Sequence, residues 1–241
     1  MDIFYISLLT LFAAAVGTVT GFGTSTIMIP VLVMFMPPVE AIFLVSIIHF
    51  FSNLWRILLF KSGLNLKLFA LFGISGLIAS YLGAFSSLKV DGTFLLRILG
   101  GFLAVYAISL VVKTKMKIKA GTKTALVGGT LSGFFAGLFG IGGAIRSAFL
   151  LVFDLPKAVY VSTAAAIGLL VDSTRIITYV WIGGIAMSER IWWGLLIFIP
   201  VSLVAAKVAG KIIHKIPQDK FRIVIAVFLF LVGIKLAVFP V

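Results

Sequence analysis

The chain has no cysteine, which excludes a disulfide framework, a thiolate nucleophile and a zinc–cysteine site. Its two histidines, His49 and His214, are too far apart in topology for an obvious metal site, and no His-Glu-x-x-His occurs. No Gly-x-Gly-x-x-Gly or lysine-bearing phosphate loop follows a strand, and no base is spaced convincingly beside Ser25, Ser132 or Ser173. No metal, no cofactor and no enzymatic activity are therefore expected. Charge is scarce as well: 11% of residues are charged, and 7 acidic side chains face 20 basic ones. A soluble domain of 241 residues would need far more polar surface. The start, Met1-Asp2-Ile3-Phe4, lacks the basic region and cleavage site of a secretory signal and reads as mature protein.

What is abundant is apolar. Hydrophobic residues make up 62% and mean hydropathy is +1.26, so the expected solvent is a lipid bilayer. The 24 glycines suit close approach of helices within it. A net charge of +13 would also suit nucleic acid, but the basic residues cluster at the ends of apolar runs. Loop lysines that follow the positive-inside rule account for them, and no nucleic-acid partner is expected.

Five apolar elements fall in each half: 3–20, 24–36, 39–61, 66–88 and 92–112, then 122–139, 143–154, 156–181, 189–213 and 219–239. Runs of this length without strand alternation read as transmembrane helices. Two are too short to cross, and each follows a glycine break: Gly21-Phe22-Gly23-Thr24-Ser25, and Gly140-Ile141-Gly142-Gly143-Ala144. Thirteen residues of helix rise about 20 Å against a hydrocarbon core of roughly 30 Å. Each first pair is a helix, a break near mid-membrane and a half-helix, arranged as a re-entrant hairpin or as two tilted spans.

The breaks are 119 positions apart, and the same offset aligns Gly23 with Gly142, Val33 with Val152, Pro37 with Pro156, Asn53 with Asp172, and Arg56 with Arg175. The register slips by one residue near Gly63 and Gly183. The expected fold is an all-α polytopic membrane protein of two repeats, 1–112 and 124–241, joined by a basic linker, 113–123. Lys113, Lys115, Lys117, Lys119 and Lys123 place that linker in the cytoplasm, with Lys61 and Lys67 on the same side. The loop bearing Lys211, His214, Lys215, Lys220 and Arg222 is inside too. The near-neutral loops at Lys89/Asp91 and Glu189/Arg190 fall outside. Equivalent loops therefore face opposite sides, which makes the repeats inverted and puts both termini outside. In that architecture a solute sits at the repeat interface, and paired interruptions point to its site.

A Gly-x-Gly break early in each half, a proline about fifteen residues after it, and two multi-helix halves resemble the TauE/SafE sulfite exporter family, also called TSUP. The resemblance covers residues 10–239. Many members carry Gly-x-Gly-Gly-Gly at the first break, whereas here only Gly140 to Gly143 comes close. The resemblance implies a carrier of sulfite, sulfonates or related anions in the cytoplasmic membrane, with a coupling proton.

The residues point to an anion independently. A half-helix that starts after a break turns its unpaired N–H groups and positive dipole end toward the break. Gly21, Gly23, Thr24, Ser25 and Thr26 form one such start, and Gly140, Gly142, Gly143 and Arg146 the other. The plainer reading is that these glycines only permit tight packing. An arginine at the bilayer centre costs about 2.5–3.5 kcal/mol, so Arg56, Arg146 and Arg175 are candidates for the solute. Arg56 could instead snorkel toward Lys61. Arg175 has Asp172 three residues away, a ready structural ion pair, and Asn53 repeats that spacing to Arg56 without the charge. Arg146 has no acidic neighbour and is favoured most. His49, seven residues before Arg56 on the same face, is either a packing residue or a proton carrier. The expected function is alternating-access transport of a small sulfur-containing oxyanion; the rivals are a passive anion channel and a transporter of a non-sulfur carboxylate.

Overall fold

The computed structural model describes residues 2–20, 23–59, 63–112, 119–212 and 218–240, and all regular structure among them is helical, with no strand. Ten helices follow one another: α1 (Ile3–Thr20), α2 (Ser25–Leu32), α3 (Pro38–Leu59), α4 (Leu66–Lys89), α5 (Gly92–Val112), α6 (Thr122–Phe139), α7 (Gly143–Leu151), α8 (Lys157–Trp181), α9 (Glu189–Ile212) and α10 (Gln218–Val238). Five of them, α3, α4, α5, α8 and α9, are long and apolar enough to cross a membrane. Large apolar side chains face outward, among them Trp181, Val105, Leu196 and Leu231, as a lipid-facing surface requires. Trp192 and Trp193 are also exposed, whereas Trp55 is half-buried and tilts against Phe51.

The two half-helices are shorter than expected, about 12 Å for α2 and 13 Å for α7. A proline lies five residues past the last residue of each half-helix. After Leu32 the chain tightens into turns, with Phe35 N–H bonded to the Leu32 carbonyl at 2.9 Å, before Pro37-Pro38. After Leu151 similar turns end at Asp154, whose φ of 46° lies in the left-handed region, two residues before Pro156.

Neither half-helix continues in the direction of its predecessor. Gly142 lies against the Ser132 carbonyl and Ala136, Phe149 against Gly128, and Phe153 shares a cleft with Gly121 and Thr122. Those pairings run antiparallel, so α7 doubles back along α6. On the other side Gly17 meets the Gly23–Thr24 backbone and Thr10 meets Met28, so α2 doubles back along α1. Both pairs are hairpins rather than successive tilted spans. The reversal at Gly140 uses φ of 74°, and Gly23 has φ of 86°, values that cost little only for glycine.

Packing brings α3 and α8 together at the centre, with α4 along α8 and α9 along α3. Small residues let α4 and α6 approach backbone to backbone: Gly76 against Gly133, and Ser80 and Ala84 against Gly137. The apolar core, with Phe43, Phe139, Ile29 and Ile42 fully buried, surrounds this central pair. One end of the bundle joins Asp2 to Arg190 and Pro38 to Gly92. The opposite end joins Asn65 to Thr163 and holds Lys67, Lys119 and Gly121.

Candidate functional site

His49, Asn53 and Arg56 follow one another at helical spacing on α3, and that face is turned inward against α8. Asp172 and Arg175 answer from α8, and Arg146 comes from the second turn of α7. All six are buried, Arg56 at 6% exposure and Arg175 at 0%. Arg56 therefore does not snorkel to the surface.

The Asp172 carboxylate organises the group. Its Oδ1 accepts from Arg175 Nη2 at 2.7 Å, and its Oδ2 lies 2.8 Å from His49 Nδ1 and accepts from Asn53 Nδ2 at 3.0 Å. Arg175 spends its other terminal nitrogen on the Ala136 carbonyl, at 2.8 Å. With a carboxylate on one side and a carbonyl on the other, Arg175 fastens α8 to α6. Burying such a pair is tolerable because both ions are matched in geometry and hydrogen bonding.

Arg56 and Arg146 are placed differently. Arg56 Nη1 donates to the Asn53 amide oxygen at 3.3 Å. Its Nε and Nη2, and Nε of Arg146, have no hydrogen-bond partner among the described residues. Neither arginine is in ion-pair contact with a carboxylate of those residues. Both line a crevice of about 20 Å³ together with Gly17, Thr18, Tyr160, Val161 and Ala164. That is room for about one water molecule. The Tyr160 hydroxyl is hydrogen-bonded to Ser147, one residue after Arg146. Three guanidinium groups against one carboxylate leave this buried centre positive, and an anion in the crevice would complete its hydrogen bonding.

The break residues frame the centre from two sides. Gly23 sits against His49, whose Nε2 lies 2.7 Å from the position a Cβ would take there. Thr24, Ser25 and Thr26 are buried at the start of α2, with Thr24 Oγ1 and Ser25 Oγ lacking partners among the described residues. Gly140 lies beside Arg175 and Ile29, and Gly142 and Gly143 open α7. No break glycine of the described residues lines the crevice; Gly17, which touches Gly23 and Thr24, stands between. Gly21 lies outside the described residues. A larger cleft of about 240 Å³, at the end of the bundle where α4 and α6 begin, shares no residue with the charged centre.

Residues 6–236 match the family described as Sulfite exporter TauE/SafE. The chain belongs to that family. As a TauE/SafE protein it is a multi-pass membrane anion transporter and not an enzyme. A search among curated proteins found no match.

Sequence reasoning missed three members of the site in this TauE/SafE chain. Tyr160 and Gly17 left no signal, being one aromatic and one glycine among many. Gly168 could have been found: it stands 119 positions after His49, and its missing side chain leaves the space that Asn53 Nδ2 and Arg146 Nη2 occupy.

Proposed function

We propose that the protein carries a small sulfur-containing oxyanion, sulfite or a sulfonate, through a site made by Arg56 and Arg146 at the crossing of α3 and α8. The observation that carries this reading is a pair of buried arginines on one crevice, each with a donor left unspent among the described residues. Guanidinium forks fit trigonal and tetrahedral oxyanions through paired N–H donors. Gly23, ahead of Thr24, Ser25 and Thr26 at the start of α2, lies against His49, and Gly140, ahead of Gly142 and Gly143 at the start of α7, lies beside Arg175, so the positive dipole ends of both half-helices add to the potential of this centre. Gly140 completes the second tip, and Asn53, Asp172 and Arg175 hold the surrounding frame. The crevice is too small for the anion as it stands, so the arrangement is read as an occluded state that opens alternately to either side.

The inverted relation of 1–112 and 124–241 about the linker 113–123 is part of the same proposal. Neighbour relations support it: α4 packs on α6 as α9 packs on α1, α4 meets α8 as α9 meets α3, and α5 pairs with α10. Exchanging the first five helices with the second five preserves each of these. Re-entrant hairpins entering from opposite faces then put both termini outside. A cysteine at Lys117 should react with an impermeant maleimide only from the cytoplasm, and one at Asp2 only from outside; labelling of both from one face would remove the inversion.

The anion site is tested by Arg146→Gln in purified protein titrated with sulfite and methanesulfonate. Binding should weaken about 10- to 100-fold, the usual worth of a charged hydrogen-bonding partner. Unchanged affinity would take Arg146 out of the site. A preference for acetate or another carboxylate over both sulfur anions would reassign the solute.

A further inference from the structure

Resting on that reading of the crevice, we propose that His49 is a proton-binding site thermodynamically linked to the anion, so that one proton is taken up with each anion bound and the two move in the same direction.

The geometry fixes where the proton goes. His49 Nδ1 faces Asp172 Oδ2 at 2.8 Å, a distance at which the ring donates N–H to the carboxylate. The 3.4 Å approach of the Asn53 amide nitrogen is then a contact between two donors that share one acceptor. That arrangement fixes the neutral tautomer and leaves Nε2 as the basic nitrogen. Nε2 is buried, without a partner among the described residues, and directed at Gly23 in the first break. A purely packing histidine would have both ring nitrogens satisfied. This one is held by one nitrogen and has no partner among the described residues at the other, which lies beside Gly23.

Charge makes the linkage. With His49 neutral, the charged groups facing it are Asp172 and Arg175 from α8, Arg146 from α7 and Arg56 on its own helix. Tyr160 on α8 is the further titratable group facing Arg56 and Arg146. The half-helix α2 contributes no ionisable residue, and the ionisable residues of α5 and α9 (Arg97, Glu189, Arg190, Lys207 and Lys211) are exposed. The buried centre already carries three positive charges against one negative. A proton added alone raises that imbalance, and an anion added beside Arg56 lowers it. The two sites are one amide apart: Asn53 accepts from Arg56 with its oxygen and lies against His49 and Asp172 with its nitrogen. Each charge therefore favours the other, and by linkage the effect on affinity is reciprocal. An unperturbed imidazole changes charge between pH 5 and 8, which is the range over which the linkage is tested.

The test uses full-length purified protein and methanesulfonate, an anion whose own charge is constant over this range. Calorimetric titration at fixed pH, in buffers of different ionisation enthalpy, counts protons exchanged per anion. We expect uptake approaching one proton per anion near neutral pH, and binding tighter at pH 5.5 than at pH 8 by roughly 50- to 100-fold, at the upper end of the usual size for coupled sites. His49→Gln should abolish both the uptake and the pH dependence. His214→Gln, which removes the chain's other histidine, should leave them in place. Should His49→Gln fail to fold, the proton count on the unaltered protein and on His214→Gln decides alone. Binding with no proton exchanged, or with a proton released, would overturn the linkage and leave the anion site standing. Absence of methanesulfonate and sulfite binding at every pH would overturn the anion site and the linkage with it.

Discussion

Arg175 and Arg56 stand 119 positions apart, at the offset that aligns the two halves of the chain, and they do different work. Three residues before Arg175 is Asp172; three residues before Arg56 is Asn53. The carboxylate takes Arg175 Nη2 at 2.7 Å and, with the Ala136 carbonyl, leaves only Nε over. The amide holds Arg56 at 3.3 Å and leaves Nε and Nη2 over. One difference, an oxygen exchanged for an amide nitrogen, separates a cation that binds helix to helix from a cation that is available. The same Asn53 also donates to Asp172, so the two matched positions touch each other across the α3–α8 crossing.

The largest effect should come from breaking the satisfied member. Arg175→Gln takes the paired cation from the buried Asp172 carboxylate, which keeps its contacts to His49 and Asn53, and removes the tie to α6, a loss of about 3–5 kcal/mol. Thermal unfolding in detergent should show it as a large fall in Tm or as failure to accumulate in the membrane. Arg56→Gln removes a cation that among the described residues is held by an amide alone, so stability should change by about 1 kcal/mol or less. If the two variants unfold alike, the division between fastening and available arginines is wrong. Next in size is binding: Arg56→Gln, like Arg146→Gln, should weaken methanesulfonate binding about 10- to 100-fold while the protein stays folded. Arg190→Gln, which opens the exposed pair with Asp2, should change neither property beyond experimental error.

Much of this fold was legible in the sequence because it is written in long, local signals. Apolar runs ended by charged residues located ten helices to within a few residues, and the glycine breaks located both interruptions. The Asp172–Arg175 pair could be anticipated, since three residues along a helix bring two side chains to one face. What could not be read was direction and contact across helices. A glycine break permits a hairpin and a continued span equally; only the pairing of Phe149 with Gly128 and of Met28 with Thr10 decides. Burial of Arg56 was equally illegible, because a nearby lysine makes snorkelling as natural as packing. The junction of Asn53, Asp172 and His49 depends on how α3 crosses α8, and no local pattern encodes a crossing.

The smallest prediction concerns Gly168, the position that aligns with His49. One half of the chain fills this place with an imidazole and the other leaves it empty. The emptiness has a tenant: a Cβ at Gly168 would stand 2.6 Å from Asn53 Nδ2 and 3.0 Å from Arg146 Nη2. Both atoms end flexible side chains, so Gly168→Ala should be tolerated, at about 1 kcal/mol of stability, with the amide and the guanidinium displaced. Arg146 would then be shifted within the crevice rather than removed, and methanesulfonate affinity should fall by a few-fold, about 1 kcal/mol or less. Gly101→Ala, where a Cβ meets nothing within 4 Å, is the control for adding a methyl group to a helix. If Gly168→Ala lowers Tm but leaves the affinity untouched, the hollow serves packing alone and the position of Arg146 is not what binds the anion. A drop in affinity with an intact Tm would tie the empty half of this pair to the solute.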